Sequence, residues 1–209
     1  MSFRREIKTT LNKSKLFKLI NWVYDNGGEV LHPERIINSI YFDNTNLHMY
    51  HQSVEGVLPR KKIRLRIYEL EKSLIKIKKK GSLEYKISSI EGRFKITKKN
   101  FTLRDKRFIF LDKDYGLCEP RLNVIYKRSY FKVNNIRLTI DREICYKNIR
   151  NNKILPFTIN DNLNVVELKY KSLELDKEVL DFFPFQFNRF SKYCRGIEFI
   201  QKKICDEIV

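Results

Sequence analysis

Hydrophobic and polar residues alternate one by one from Lys62 to Ile67 in the segment 60–68, which reads Arg-Lys-Lys-Ile-Arg-Leu-Arg-Ile-Tyr. Side chains of an extended strand point alternately to its two faces. Lys62, Arg64 and Arg66 therefore share one face, and the aliphatic residues between them share the other. The pattern predicts a β-strand over 60–69 that carries a row of positive charge along one face.

The same kind of pattern, bounded by turn residues, predicts seven further strands, with Asn134-Asn135 as a tight hairpin turn between two of them. These strands are expected over residues 2–9, 36–43, 73–80, 83–90, 122–133, 136–145 and 164–170. A 3.6-residue apolar period that stops at Gly27-Gly28 predicts a helix over 12–25. Further helices are expected near 45–52, 97–105, 175–183 and 190–207. The element order predicts an α+β fold.

Charged side chains share one face on seven of these strands. On any single strand this is also the pattern of a solvated face in an ordinary antiparallel sheet. Its repetition favours an eight-stranded antiparallel β-barrel that closes with the charged face inward and is flanked by helices. Such a barrel would enclose a basic tunnel, in which part of the positive charge is balanced by Glu6, Glu84, Asp141 and Glu167.

The composition agrees with an anionic ligand. There are 43 Lys and Arg residues against 25 Asp and Glu, which gives a formal net charge of +18. This imbalance is larger than solubility requires, but charge alone leaves nucleic acid, anionic lipid and polyphosphate open. No linker rich in Gly, Ser or Pro interrupts the 209 residues, so we expect a single domain over 1–209.

Cysteine and hydropathy patterns bear on location. The four cysteines form no CxxC pair, which suits reduced thiols. No apolar run approaches the roughly 20 residues that a membrane-spanning helix needs. We therefore expect a cytoplasmic protein with no membrane segment in this chain. His48 and His51 have one-turn spacing, but without a third nearby ligand they do not predict a metal site.

Eight motifs, in order along the chain, resemble the polyphosphate polymerase domain of the vacuolar transporter chaperone (VTC) type, within the CYTH or triphosphate tunnel metalloenzyme superfamily. They are Arg4-Arg-Glu-Ile-Lys8, Ser39-Ile-Tyr-Phe-Asp43, the strand 60–68, a Lys-rich strand pair with Lys76, Lys78 and Lys86, Tyr126-Lys-Arg128, Arg137-Leu-Thr-Ile-Asp141, Val166-Glu-Leu-Lys169 and Ser191-Lys-Tyr193. The resemblance implies a tunnel of eight antiparallel strands. It also implies transfer of the γ-phosphoryl group of ATP to inorganic polyphosphate, with Mn²⁺ or Mg²⁺.

The resemblance assigns roles to individual residues. Arg64 and Arg66 would grip the triphosphate, because planar guanidinium groups suit phosphate oxygens. Glu167 would bind the metal together with phosphate oxygens. The other basic groups of the site would be Lys8, Lys76, Lys78, Lys86, Arg128 and Arg137. Substrate binding would be completed by Tyr41, Lys169, Ser191 and Lys192.

Plainer roles stay open for several of these residues. Ser191 fits a helix N-cap as well as a phosphate ligand. Tyr41 fits a packing role, as does Tyr193. Glu167 and Lys169 also fit a same-face ion pair without a metal.

Two departures from the family pattern shape the alternatives. Arg4 stands where hydrolytic members carry the first Glu of Glu-x-Glu-x-Lys, which argues against a two-metal triphosphatase. Leu74 stands where the family often has Glu, which motivates a non-catalytic polyphosphate or inositol-phosphate binding protein as an alternative. Triphosphate hydrolysis is a further alternative.

Two partner questions follow from the charge. Nucleic acid is not expected as a partner, since the aromatic residues alternate into strand cores and no RNA-recognition signature is present. The sequence leaves open whether an unidentified membrane partner receives the polymer.

Overall fold

The computed structural model describes residues 5–69, 80–102, 109–151, 153–170 and 181–206. The helices are α1 (Lys13–Asp25), α2 (His48–Glu55) and α3 (Lys192–Asp206). The strands are β1 (Arg5–Leu11), β2 (Glu29–Asp43), β3 (Arg60–Glu69), β4 (Lys80–Ser89), β5 (Gly92–Thr102), β6 (Phe110–Asp112), β7 (Gly116–Val133), β8 (Ile136–Arg150), β9 (Lys153–Ile154), β10 (Ile159–Asn160) and β11 (Asn164–Tyr170). Within these residues, no helix has both the length and the apolar character needed to cross a membrane.

The strands form a sheet whose order is β1-β11-β8-β7-β2-β3-β4-β5. The short strand β6 pairs with β7, and β9 and β10 pair with β8. Every pairing with a described register is antiparallel. The structure confirms the predicted α+β class with an antiparallel sheet. Among the described strands the hydrogen-bonded order is an open path from β1 to β5.

Contacts along the chain separate it into two compact units. Unit 1 comprises Met1–Arg35, Tyr126–Ile144 and Asp161–Phe190, and unit 2 comprises Ile36–Ile125, Cys145–Asn160 and Ser191–Val209. Strands β2, β7 and β8 each contribute residues to both units. The single domain expected over 1–209 stays a prediction.

The core of unit 1 forms around α1. The helix begins after Asn12, whose side chain accepts a hydrogen bond from Lys15 N and so caps the first turn. Its apolar side is buried through Leu16, Leu19 and Val23, as the 3.6-residue period predicts. These side chains belong to one hydrophobic cluster with residues of β1, β7, β8 and β11, including Leu11, Val133, Leu138, Ile140, Val166 and Leu168.

Strand β3 crosses the core of unit 2 with both faces enclosed. Ile63 and Leu65 are fully buried, as the alternating pattern predicts. Arg64 and Arg66 on the opposite face are only 7% and 6% exposed. A solvated face would leave these arginines in water, so the charged face of β3 is not an ordinary solvated surface.

Several element predictions agree with the structure and one is wrong. Strand β11 has the predicted bounds, and α1 and α3 match the expected helices to within two residues. The helix expected near 97–105 is wrong over 97–102, because this stretch belongs to β5 and pairs with β4. The strand expected over 73–80 falls, except for Lys80, outside the described residues, and so does most of the helix expected near 175–183.

Candidate functional site

In unit 2, polar side chains from three adjacent strands lie in register. Arg64 of β3 is the partner of Tyr41 on β2 and of Glu84 on β4. Arg64 Nε donates a hydrogen bond of 2.7 Å to Glu84 Oε2, and Nη2 lies 2.6 Å from the same oxygen. Arg64 Nη1 donates to the Tyr41 hydroxyl at 3.1 Å. Three donors of one buried guanidinium are thus fixed by neighbouring strands.

Glu84 also contacts two further cations. Arg66 Nη1 lies 3.6 Å from Oε2, and Lys95 Nζ of β5 lies 2.6 Å from Oε1. We call Arg64, Arg66, Glu84 and Lys95 the arginine cluster. Burial alone would raise the pKa of Glu84, but these three cations hold it well below its usual range. The carboxylate is therefore ionised at neutral pH, and three cations with one anion give the cluster a charge of +2.

Strands β3 and β4 approach each other closely at Gly81, beside the backbone of Arg66. At Gly81 the strand β4 comes so near β3 that an added Cβ would lie 2.5 Å from the Arg66 carbonyl oxygen. The pairing of β4 with β5 shifts register between Gly81 and Leu83. Glycine is required here because a side chain would push the two backbones apart.

A row of lysines starts at Lys95 of the arginine cluster and crosses β4 to β3. Lys62, Lys86 and Lys95 are direct cross-strand partners on β3, β4 and β5. Like charges that face each other across strands destabilise a sheet. This cost falls when an anion binds across the row, so the arrangement suits an extended chain of phosphates.

Ser191 caps helix α3 beside this row. Its hydroxyl oxygen accepts a hydrogen bond from Cys194 N at 3.3 Å and one from Lys62 Nζ at 3.0 Å. Its carbonyl oxygen accepts from Arg195 N. The N-cap role considered from the sequence is therefore present, and Lys192 follows as the first residue of the helix.

Two stacked tyrosines connect α3 to the arginine cluster. The rings of Tyr41 and Tyr193 stack at 5.2 Å with an interplanar angle of 19°. The Tyr193 hydroxyl donates to Asp43 Oδ2 at 2.6 Å, and Asp43 accepts from Met49 N and Tyr50 N in the first turn of α2. Asp43 thus joins both helices to the site. Burial, with Asp43 beside it, raises the pKa of Tyr193 well above its usual value.

We expect Tyr193→Phe to lower the free energy of unfolding by about 1 to 3 kcal/mol, because a buried hydrogen bond to a carboxylate is lost while the stacked ring is kept. Urea denaturation measures this change. The control is Tyr24→Phe, since Tyr24 is 56% exposed and surface changes usually stay within about 0.5 kcal/mol. Equal effects of the two substitutions would contradict the anchoring role of the Asp43 contact.

Unit 1 carries a second set of buried charges. Arg128 binds Asp141 through two hydrogen bonds, with Nη2 2.7 Å from Oδ2, and Asp141 is completely buried. Glu167 Oε1 lies 2.7 Å from Lys169 Nζ, and its Oε2 lies 3.9 Å from Arg128 Nη2. Burial alone would lower the pKa of Arg128, but Asp141, Tyr126 and Glu167 raise it well above its usual value.

Strand register extends this set to β1. Glu6 pairs with Lys169, and Lys8 pairs with Glu167. Glu6 lies 3.1 Å from Lys8 Nζ through Oε1 and 3.6 Å from Lys169 Nζ through Oε2. Carboxylates and ammonium groups therefore alternate across β1 and β11. Parity predicts that the charges of each strand share a face, and the strand register sets which charges face each other.

The predicted site residues fall into two groups. Unit 2 brings together Tyr41, Arg64, Arg66, Lys86, Ser191 and Lys192. Unit 1 brings together Lys8, Arg128, Glu167 and Lys169. Arg137 is on the same ladder opposite Lys169, but it is exposed and its guanidinium lies over the Tyr130 ring at 5.5 Å. Lys76, Lys78 and Leu74 lie outside the described residues.

Sequence reasoning missed two members of the unit 2 site. Lys95 was not predicted as a site residue because a helix was expected to begin at residue 97. Arg93, Lys95 and Thr97 nevertheless alternate with Phe94 and Ile96, which is the pattern of a strand. Asp43 was considered only as the last residue of a motif. Its position directly before Asn44 and helix α2 could have predicted its role, because an acidic side chain there can accept hydrogen bonds from free backbone amides.

A model of the VTC domain matches residues 3–110 and 106–201. The chain belongs to the VTC domain family. This confirms the resemblance carried by the sequence motifs. No curated protein matches this VTC domain.

Solved structures share the fold at low sequence identity. A putative adenylate cyclase from Bacillus halodurans is 14% identical, with a TM-score of 0.54 over 93% of this VTC domain and 96% of that chain. A conserved hypothetical protein from Pyrococcus furiosus is 16% identical, with a TM-score of 0.52 over 90% and 97%. A putative adenylyl cyclase from Hippeastrum with a dominant triphosphatase activity is 12% identical, with a TM-score of 0.50 over 94% and 96%.

The unit 1 carboxylates suit a divalent cation that is shared with a bound phosphate. Within the described residues, no group of three acidic, His or Cys side chains could hold a metal alone. Mg²⁺, however, is commonly held by one or two carboxylates together with substrate phosphates. Glu6 and Glu167 flank the same ammonium group of Lys169. In the described structure the buried Thr139 hydroxyl opposite Glu167 has no hydrogen-bond partner, so the donor set fits such a cation.

Proposed function

We propose that this VTC domain transfers the γ-phosphoryl group of ATP to a growing inorganic polyphosphate chain. The observation that carries the proposal is the arginine cluster, in which two buried guanidinium groups are held in place within a domain of this family. Buried, oriented guanidinium groups bind phosphate oxygens more strongly than solvated ones.

The chemistry of phosphoryl transfer fits these side chains. The transition state spreads negative charge over phosphate oxygens, so catalysis depends on positioning and electrostatic stabilisation and needs no protein nucleophile. Arg64 is oriented in advance by Glu84 and Tyr41. Arg66 and Lys192 add positive charge near Tyr41. Burial alone would raise the pKa of the Tyr41 hydroxyl, but Arg64, Arg66 and Lys192 lower it.

In the proposed reaction, side chains of unit 1 would bind the metal ion and further phosphate oxygens. Arg128 is fixed by Asp141 and offers further guanidinium donors. Glu167, with Glu6 nearby, would hold Mg²⁺ or Mn²⁺ together with phosphate oxygens. A bound divalent cation neutralises charge on those oxygens. Lys8 and Lys169 would bind further phosphate oxygens as point charges.

Triphosphate hydrolysis is the second candidate. The observation that favours it is the shared fold with the Hippeastrum protein that has a dominant triphosphatase activity. The two candidates differ in the acceptor of the phosphoryl group, which is a polyphosphate chain in one case and water in the other. Their products therefore distinguish them.

We expect the purified protein to convert ATP with Mn²⁺ and a short polyphosphate primer into a ladder of longer chains on a gel. The label of γ-³²P-ATP should enter the ladder, because the γ-phosphoryl group is the one transferred. ADP in place of ATP should give no ladder. Release of labelled phosphate without chain growth would replace the polymerase with a hydrolase. Binding of tripolyphosphate without turnover would favour a polyphosphate-binding protein.

The cytoplasmic location and the lack of a nucleic-acid partner stay predictions. The basic residues that motivated an anionic partner are accounted for in part by the arginine cluster and the lysine row, and both suit phosphate chains. Competition between tripolyphosphate and duplex DNA for the protein would test the second of these predictions.

A further inference from the structure

We infer that Glu84 is an affinity-tuning residue: its carboxylate weakens the hold of the arginine cluster on polyphosphate so that the chain can move on after each transfer. The inference rests on the proposed function, because it takes polyphosphate as the ligand. It goes further by assigning a purpose to a negative charge in a site that binds anions.

Glu84 lies at the centre of the arginine cluster. Glu84 is 2% exposed and lies between Arg64, Arg66 and Lys95. The antiparallel register of β3 and β4 places it directly opposite Arg64. Both of its oxygens contact cations, so the carboxylate occupies a place in which a phosphate group would also fit.

Glu84 competes with phosphate for the hydrogen-bond donors of Arg64. Glu84 Oε2 is bound by Nε and Nη2 of Arg64, which form the edge of the guanidinium that binds two oxygens of an anion at once. A phosphate must displace Glu84 from this edge or use the remaining donors of the cluster. Either course lowers its affinity relative to an open guanidinium.

Release of the product limits how tightly the arginine cluster can bind polyphosphate. A polymerase of this kind must let its product advance by one phosphate in each cycle. Sites through which ions pass must bind strongly enough to admit the ion and weakly enough to release it. Three uncompensated cations would hold each phosphate group too tightly, and Glu84 reduces their charge from +3 to +2.

Substitutions at Glu84 and at Lys95 change the charge of the arginine cluster in opposite directions, which makes the inference testable. The Lys95 side chain is 49% exposed, compared with 2% for Glu84, so Lys95 can be replaced with little disturbance of the core. Glu84→Gln keeps the shape of the side chain and raises the cluster to +3. Lys95→Gln lowers it to +1. The double variant returns it to +2.

The experiment is calorimetric titration of the full chain and its three variants with tripolyphosphate, without ATP. We expect Glu84→Gln to tighten the Kd about tenfold, which corresponds to roughly 1.4 kcal/mol. Lys95→Gln should weaken the Kd by a similar factor, and the double variant should return to within about threefold of the original value. In turnover with ATP, Glu84→Gln should lower both kcat and KM, because slow release then limits the rate.

A purely structural role for Glu84 gives a different pattern. If the carboxylate only holds the arginines in place, Glu84→Gln weakens tripolyphosphate binding and Lys95→Gln does not restore it in the double variant. That result overturns the inference. If the original protein does not bind tripolyphosphate at all, the proposed function fails together with it, so the two failures are distinguishable.

A second series covers the case in which Glu84→Gln does not fold, as judged by circular dichroism. Lys95→Gln and Lys95→Glu change the cluster charge to +1 and 0 without altering Glu84. The Kd for tripolyphosphate should weaken in two successive steps. A Kd that is the same for both variants and the original protein would overturn the inference.

Discussion

Replacing Arg66 by alanine is expected to slow polyphosphate synthesis by about a hundredfold or more, the effect of removing one donor that stabilises transition-state charge. Arg66 is 6% exposed, so its charge acts in a medium that screens it weakly. The remaining contacts of Glu84 with Arg64 and Lys95, at 2.6 to 2.7 Å, keep the cluster paired. The initial rate of incorporation of γ-³²P from ATP measures the effect.

Two further variants make this result specific. Arg150→Ala removes the same charge from an exposed position on β8 and should leave the rate unchanged. Arg66→Lys keeps the charge but loses the planar fork, so it should recover only part of the rate. A rate for Arg66→Ala close to that of Arg150→Ala would show that Arg66 does not act on the reacting phosphates.

Asp141→Asn is expected to lower the free energy of unfolding by about 3 to 5 kcal/mol, the usual cost of leaving one member of a buried ion pair unpaired. Asp141 is completely buried and binds Arg128 through both oxygens. The guanidinium cannot lose its proton to relieve the unpaired charge. Glu167 lies 3.9 Å from Arg128 and compensates only in part. Urea denaturation followed by circular dichroism gives the value.

A surface pair provides the comparison for this prediction. Lys127 contacts Glu143 at 2.8 Å, but both side chains are partly exposed, at 34% and 48%. Lys127→Ala should barely change the urea midpoint, because water and salt screen an exposed pair. If Asp141→Asn is as mild as Lys127→Ala, Arg128 must be solvated in the folded protein, and its proposed place among buried site residues would be wrong.

The sequence predicted the faces of strands better than their partners. The alternation in β3 places Arg64 and Arg66 on one face, and the structure shows this arrangement. The pairing of Arg64 with Glu84 and of Arg128 with Asp141 could not be read in the same way. Pairing depends on the register between strands that are distant in sequence, and a shift of one residue reverses every side chain.

The bounds of strands were missed where polar residues continue them. Strand β2 begins at Glu29, although 29–35 holds His32, Pro33 and Glu34 and was not predicted as a strand. Strand β5 is exposed along most of its length. Backbone pairing extends such strands without requiring apolar side chains, so hydrophobic pattern alone does not detect them.

The division of three strands between the two units affects which changes of sequence the fold can accept. Because β2, β7 and β8 each pass through both units, neither unit is one continuous stretch of sequence, and no single cut separates them. An insertion or deletion of one residue within such a strand would invert the side-chain order of one half relative to the other. We therefore expect related sequences to diverge in these strands by substitution, and to change length in the turns between them.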